Sequence, residues 1–121
     1  LDDWRSLSDA EKEMVSHVLG GLTLLDTVQS ESGMAQLKDA VRTPHEEAVL
    51  NNIAFIESVH AKSYSSIFST LNTKAEIEKI FEWVDTNPYL QKKTEIINEV
   101  YKNGSDLQKK VASVYLETFL F

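Results

Sequence analysis

The sequence predicts an all-α helical bundle. Capping boxes open several segments, apolar residues recur at helical spacing over long stretches, and no useful run alternates with the two-residue period of a half-buried strand. Ser8-Asp9-Ala10-Glu11 is the first box: a serine oxygen and a glutamate cover unpaired amides at a helix start. The amphipathic pattern then runs over 9–29 and is expected to break at Gly33, with a short helix from Met34 to Val41. Thr43-Pro44-His45-Glu46 is a second box, with proline at the first helical position, where a missing N–H costs nothing. From there 44–71 holds no Gly or Pro and predicts one long helix. Thr73-Lys74-Ala75-Glu76 repeats the device before IEKIFEWV, and Asn87-Pro88 interrupts. A further helix should run to Lys102, closed by Asn103-Gly104, and Ser105 should cap the last one, DLQKKVASVYLETFLF.

At 121 residues the chain has room for one domain with a modest core. No stretch approaches the roughly 18–20 apolar residues of a membrane span, and the acidic start LDDWRSLSD has no apolar signal core. The absence of cysteine excludes disulfides, thiolate metal sites and thiol nucleophiles in this sequence and suits a cytoplasmic protein. A formal net charge of −7, from 19 acidic and 12 basic side chains, repels phosphate backbones and argues against nucleic-acid binding.

Some of that acid stands where water should not be. Along the first long helix the apolar stripe Val15, Leu19, Leu22 arrives at Asp26 inside LTLLD. On the second, the stripe Val49, Ile53, Ile56, His60, Tyr64, Ile67, Leu71 has Glu57 on its flank, three residues before His60. On the last, Leu107, Val111 and Val114 lead to Glu117 and Phe121. Buried unpaired carboxylates cost several kcal/mol each or take up a proton. Lysine and arginine are scarce on these stripes; Lys62 lies off the face of Glu57. A metal cluster is the economical compensation, because cations neutralise the acids and imidazole supplies a nitrogen ligand. Glu57-x-x-His60 has the spacing of the Glu-x-x-His pair of di-metal carboxylate bundles, a weak signal alone and a stronger one beside Asp26, Glu117 and Tyr64.

LTLLDTVQSESG, NNIAFIESVHAKSYSSIFSTLNT, EIEKIFEWVDTNPYLQKK and ASVYLETFLF together resemble the class Ib small subunit of ribonucleotide reductase, in order and over essentially the whole chain. The resemblance implies a ferritin-like fold in which Asp26, Glu57 and His60 ligate a first metal, Glu57 bridges to a second, and Glu117 is a ligand of that second ion. Tyr64 matches the tyrosine that an oxygen-derived oxidant at the cluster converts to a stable radical. The resemblance further implies a dinuclear iron or manganese cofactor, a large catalytic subunit to which the hole passes for ribonucleotide reduction, a flavodoxin-like activator for manganese, and a homodimer. Phe55 and Phe68 are expected to help dry the tyrosine site.

The family's second Glu-x-x-His has no counterpart here, since Glu46, Glu47 and Glu99 lack a histidine three positions on. The family's early tryptophan and its C-terminal docking tail have no counterpart either. YLETFLF is apolar nearly all round, which on a helix demands burial from every side. Residues 1–121 are therefore expected to be one helical piece of a larger di-metal domain, inactive without the complementary polypeptide. The competing readings are a ferritin-like ligand-binding oxidase and a non-catalytic helical interaction module. His17 and His45 are expected at the surface or near caps, Trp4 and Trp83 as anchors, and Tyr89, Tyr101 and Tyr115 as packing residues. The charge cluster from Lys74 to Glu82 reads as a solvated helix face.

Overall fold

Local capping and apolar periodicity produce helices almost end to end. The computed structural model describes residues 1–120; Phe121, expected at the end of the last apolar stripe, lies outside the described residues. Among the described residues there are seven α-helices, two π-helical turns and no strand. A short helix not foreseen from sequence, α1 (Asp2–Ser6), precedes α2 (Asp9–Val28). Ser8 Oγ accepts the Glu11 N–H at 3.3 Å while Glu11 Oε2 accepts the Ser8 N–H at 2.8 Å, completing the first capping box.

The chain does not break at Gly33. A π-helical turn, Gln29–Gly33, carries α2 into α3 (Met34–Lys38), with right-handed helical dihedrals at Gln29, Gly33 and Met34. The glycine serves close approach here, being buried against the ring of Tyr101. Just before the π turn, the Thr23 and Thr27 hydroxyls donate to Leu19 O and Thr23 O at 2.8 and 2.7 Å, back-bonding of the kind that bends a helix.

Helix α4 (Pro44–Leu71) occupies the predicted range. Its capping box is only half made: Thr43 Oγ1 accepts from Glu46 N, but Glu46 reaches past Thr43 to the Arg42 N–H at 2.7 Å. Thr73 and Glu76 cap α5 (Lys74–Thr86) reciprocally, Asn87 Oδ1 accepts two amides at the start of α6 (Pro88–Asn103), and Ser105 with Gln108 caps α7 (Asp106–Tyr115). Gly104 is extended, at φ −74° and ψ 155°, so α6 ends without a left-handed residue. A second π-helical turn, Leu116–Leu120, continues α7 and contains Glu117.

The core lies where α2, α6 and α7 meet: Leu25 and Val28, Ile97 and Tyr101, Ala112 and Leu116. Two expected stripes are only partly buried. On α4, Val49 and Ile56 are exposed and the buried residues are Glu57 and Phe68; on α7, Leu107, Val111 and Val114 are exposed while Ala112 and Leu116 face inward. Periodicity identifies an apolar face, whereas burial requires a neighbour against it, and α7 has turned its smaller-residue face to the core.

Gly20 sets how closely α2 approaches α5. A Cβ there would stand 2.8 Å from Ile80 Cγ2 and 2.9 Å from Val84 Cγ2, both stubs of β-branched side chains with little freedom to yield. Gly20→Ala is expected to lower stability by about 1 kcal/mol, the overpacking penalty outweighing the helix-propensity gain. Denaturant unfolding checks this; an unchanged or raised midpoint would contradict the close packing.

Candidate metal centre

α2 packs along α4 and so brings Asp26, on the inward side of the LTLLD turn, opposite Glu57 and His60. The Glu-x-x-His spacing stacks the latter two on one helix face, and His60 Nδ1 lies 2.9 Å from Glu57 Oε2 and 3.6 Å from Asp26 Oδ2. One ligand atom from each of the three residues fits within a 4.8 Å group. The carboxylates are nearly dry, with side chains 4% exposed for Asp26 and 7% for Glu57, whereas the imidazole is 48% exposed.

Burial without a counter-charge has a measurable signature. Asp26 is pushed up to about 6, first by burial and then by the neighbouring Glu57 charge; His60 and the Tyr64 hydroxyl only partly offset this. Asp26 Oδ2 is buried with no hydrogen-bond partner. Such an atom beside a second carboxylate and an imidazole nitrogen suits a hard or borderline divalent cation, so the residues present fit a metal. Glu117 stands outside the tight group. It is exposed as a residue, yet partial desolvation, followed by Glu57 and Asp26, holds its carboxyl above the usual range, which places it within electrostatic reach. Tyr64, one turn beyond His60, is half-buried with its hydroxyl toward Asp26, and burial followed by the Asp26 charge pushes its phenol up.

Other residues divide between expectation and departure. Phe68 is buried and tilted against Phe81 at 5.7 Å, but Phe55 is 62% exposed, because its position on α4 points away from the packed face. His17 is not a free surface residue: its ring stacks on Trp83 at 4.0 Å and 10°, which anchors α2 to α5. His45 is exposed, and Trp4 is half-buried. Tyr101 is fully buried, while Tyr89 and Tyr115 are exposed, Tyr89 lying in the first turn of α6 and Tyr115 at the end of α7. Sequence reading treated Gln29 as a mere helix end; it is 1% exposed and bonded across the core. Its position one turn after Asp26 was the available signal. Among the described residues no helix is long and apolar enough to cross a membrane.

A family model described as "Ribonucleotide reductase, small chain" matches residues 1–121. The chain is 52% identical over 121 residues to ribonucleoside-diphosphate reductase subunit beta nrdF1 of Mycobacterium tuberculosis (strain ATCC 25618 / H37Rv), covering 100% of this chain and 38% of that protein. It is 48% identical over 118 residues to ribonucleoside-diphosphate reductase 2 subunit beta of Escherichia coli (strain K12), covering 98% and 37%. The X-ray crystal structure of Streptococcus sanguinis dimanganese(II)-NrdF superposes with a TM-score of 0.96 at 72% identity, covering 98% of this chain and 42% of that one. This chain thus spans about 38% of the length of the curated relatives it matches.

The charge argument has a consequence for stability. A carboxyl raised from 3.8 to about 6 binds more protons folded than unfolded, so its unfavourable contribution grows as pH rises through that window and is absent below it. Asp26→Asn should therefore stabilise the metal-free protein by roughly 1–2 kcal/mol at about pH 7.5, shrinking towards zero below about pH 4. Paired unfolding curves across pH check this; equal stability of the two proteins at neutral pH would contradict it.

Proposed function

The chain belongs to the ribonucleotide reductase small-chain family, and on that premise we propose that it forms part of the small subunit of a class Ib ribonucleoside-diphosphate reductase. In this reading it holds much of a dinuclear manganese or iron centre together with the tyrosine that the centre oxidises. The observation that carries the reading is the orphaned Asp26 oxygen, buried beside Glu57 and facing His60 Nδ1.

Asp26, Glu57 and His60 would hold the first ion, Glu57 bridging to a second that Glu117 also binds. Bundles of this type take a glutamate from each of two helices and a Glu-x-x-His from each of two others. Among the described residues only one such pair converges, so the remaining ligands are assigned to sequence present in the longer relatives. When bound, the metal pair supplies the oxidising power that a phenol requires.

The chain's own residues do the rest. Burial and the adjacent carboxylate keep Tyr64 protonated at neutral pH, so removal of an electron must be accompanied by loss of the Oη proton. Asp26 faces that hydroxyl and orients it. Phe68, one turn beyond Tyr64 on α4 and fully buried, closes the apolar side against water. The partners in this reading are the large catalytic subunit that reduces ribonucleotides, a flavodoxin-like activator, and a second copy in a homodimer, all in the cytoplasm.

Reconstitution of the full-length protein with Mn(II) or Fe(II) and oxygen should give a tyrosyl radical by electron paramagnetic resonance. Tyr64→Phe should abolish that signal while two metals per subunit are retained. A radical that persists in the variant would overturn the assignment of Tyr64.

A further inference from the structure

Gln29 is a large polar side chain sealed in the core, and all of its partners lie on other helices. It is 1% exposed and opens the π-helical turn that follows α2. Its carboxamide oxygen accepts the hydroxyl of Tyr101 on α6, a residue with no exposed surface. Burial first of all pushes the Tyr101 phenol up to about 12, so it remains a donor at any physiological pH. With the oxygen committed to a donor, the orientation of the amide is fixed and both of its N–H groups lie on the other side. One donates to Ser113 Oγ of α7 at 2.8 Å. Among the described residues the other makes no hydrogen bond of that length.

The sequence positions give this link its meaning. Gln29 sits three residues after Asp26, and Ser113 sits four residues before Glu117, so the bond joins the segments that carry these two carboxylates one turn from each. Both places are π-helical turns, or adjoin one, and such insertions shift side chains off the ordinary helical register, often at functional sites. Gly33 keeps the space open: a Cβ there would run into the Gln29 carboxamide oxygen and stand 3.0 Å from the Tyr101 ring. A simple core staple would need none of this polarity, because an apolar side chain fills buried space without satisfying an amide on both ends.

We propose that Gln29 is a positioning residue for the second half of the metal centre: clamped by Tyr101 and bonded to Ser113, it ties the turn after Asp26 to the turn before Glu117 and sets where that carboxylate stands relative to Asp26 and Glu57. The inference rests on the functional reading above, in which Glu117 is a ligand of the second ion. Loss of the outer groups that orient a ligand typically weakens metal affinity 10- to 100-fold, on the order of what is expected here.

The test is Mn(II) titration of the full-length protein, followed by metal analysis and by the electron paramagnetic resonance signature that separates isolated from coupled ions. Wild type should bind two coupled ions. Gln29→Met, which keeps the volume and removes the donors, should leave the first ion in place and weaken the second on the order of tenfold or more. Isolated Mn(II) should then accumulate at intermediate loading. Gln29→Glu, which keeps the Tyr101 bond but removes the donor to Ser113 and adds a buried negative charge, should weaken the second ion at least as much. Tyr101→Phe and Ser113→Ala each release one side of the clamp and should shift the second ion in the same direction by a smaller factor. These two decide the matter if the Gln29 variants fail to fold. Two ions bound as in wild type by every folded variant, or both ions lost in parallel, would make Gln29 a structural staple and overturn the proposal. A wild-type protein that takes up fewer than two ions would remove the functional reading itself and this inference with it.

Discussion

Asp26 and Glu57 are buried side by side with a single imidazole nitrogen facing them, and the nearest sequence offers no lysine or arginine to balance them. In a poorly solvated place beside a second carboxylate, ionising Asp26 is costly unless a cation stands near it. Asp26 is pushed up to about 6 and Glu117 is raised, each by burial first and by the neighbouring carboxylates second, and Asp26 Oδ2 has no hydrogen-bond partner. Helix architecture serves the same constraint: α2 and α4 are the two long helices, and they pack where their carboxylates converge.

The constraint also orders the chemistry. A phenol placed one turn past His60 and turned towards Asp26 is pushed up by burial first and by the Asp26 charge second. A cation at the carboxylates would reverse that field, drawing the proton from Asp26 and easing loss of the one on Tyr64. On the proposed reading, metal binding and tyrosine reactivity meet at the one side chain of Asp26. The Gln29 clamp reaches α7 as well, because it ties the turn after Asp26 to the helix that leads to Glu117.

Most of the helical plan was legible because it is local. Ser8–Glu11 and Thr73–Glu76 are reciprocal caps within four residues, and the range 44–71 is bounded by Thr43-Pro44 and by a break before Thr73. The convergence of Asp26, Glu57 and His60 was legible because acids on apolar stripes contradict their own solvation. What could not be read was non-local. Gly33 looked like a break, since glycine in a helix is unfavourable on its own terms; its reason is the Tyr101 ring arriving from α6. Gln29 looked unremarkable because its partners lie 72 and 84 residues away. Val111 and Val114 looked like core because periodicity cannot say which of two acceptable faces, theirs or that of Ala112 and Leu116, meets a neighbour.

The claim beneath all of this is that the buried carboxylates exist to hold a cation. Anomalous X-ray scattering at the manganese edge, from crystals of the full-length protein grown with Mn(II), tests it most directly. The account predicts a peak at ligand distance from Asp26, Glu57 and His60 Nδ1, with a second peak on the Glu117 side of Glu57. Crystals whose Asp26 and Glu57 remain paired through a shared proton, with no anomalous density between them at saturating Mn(II), would contradict it.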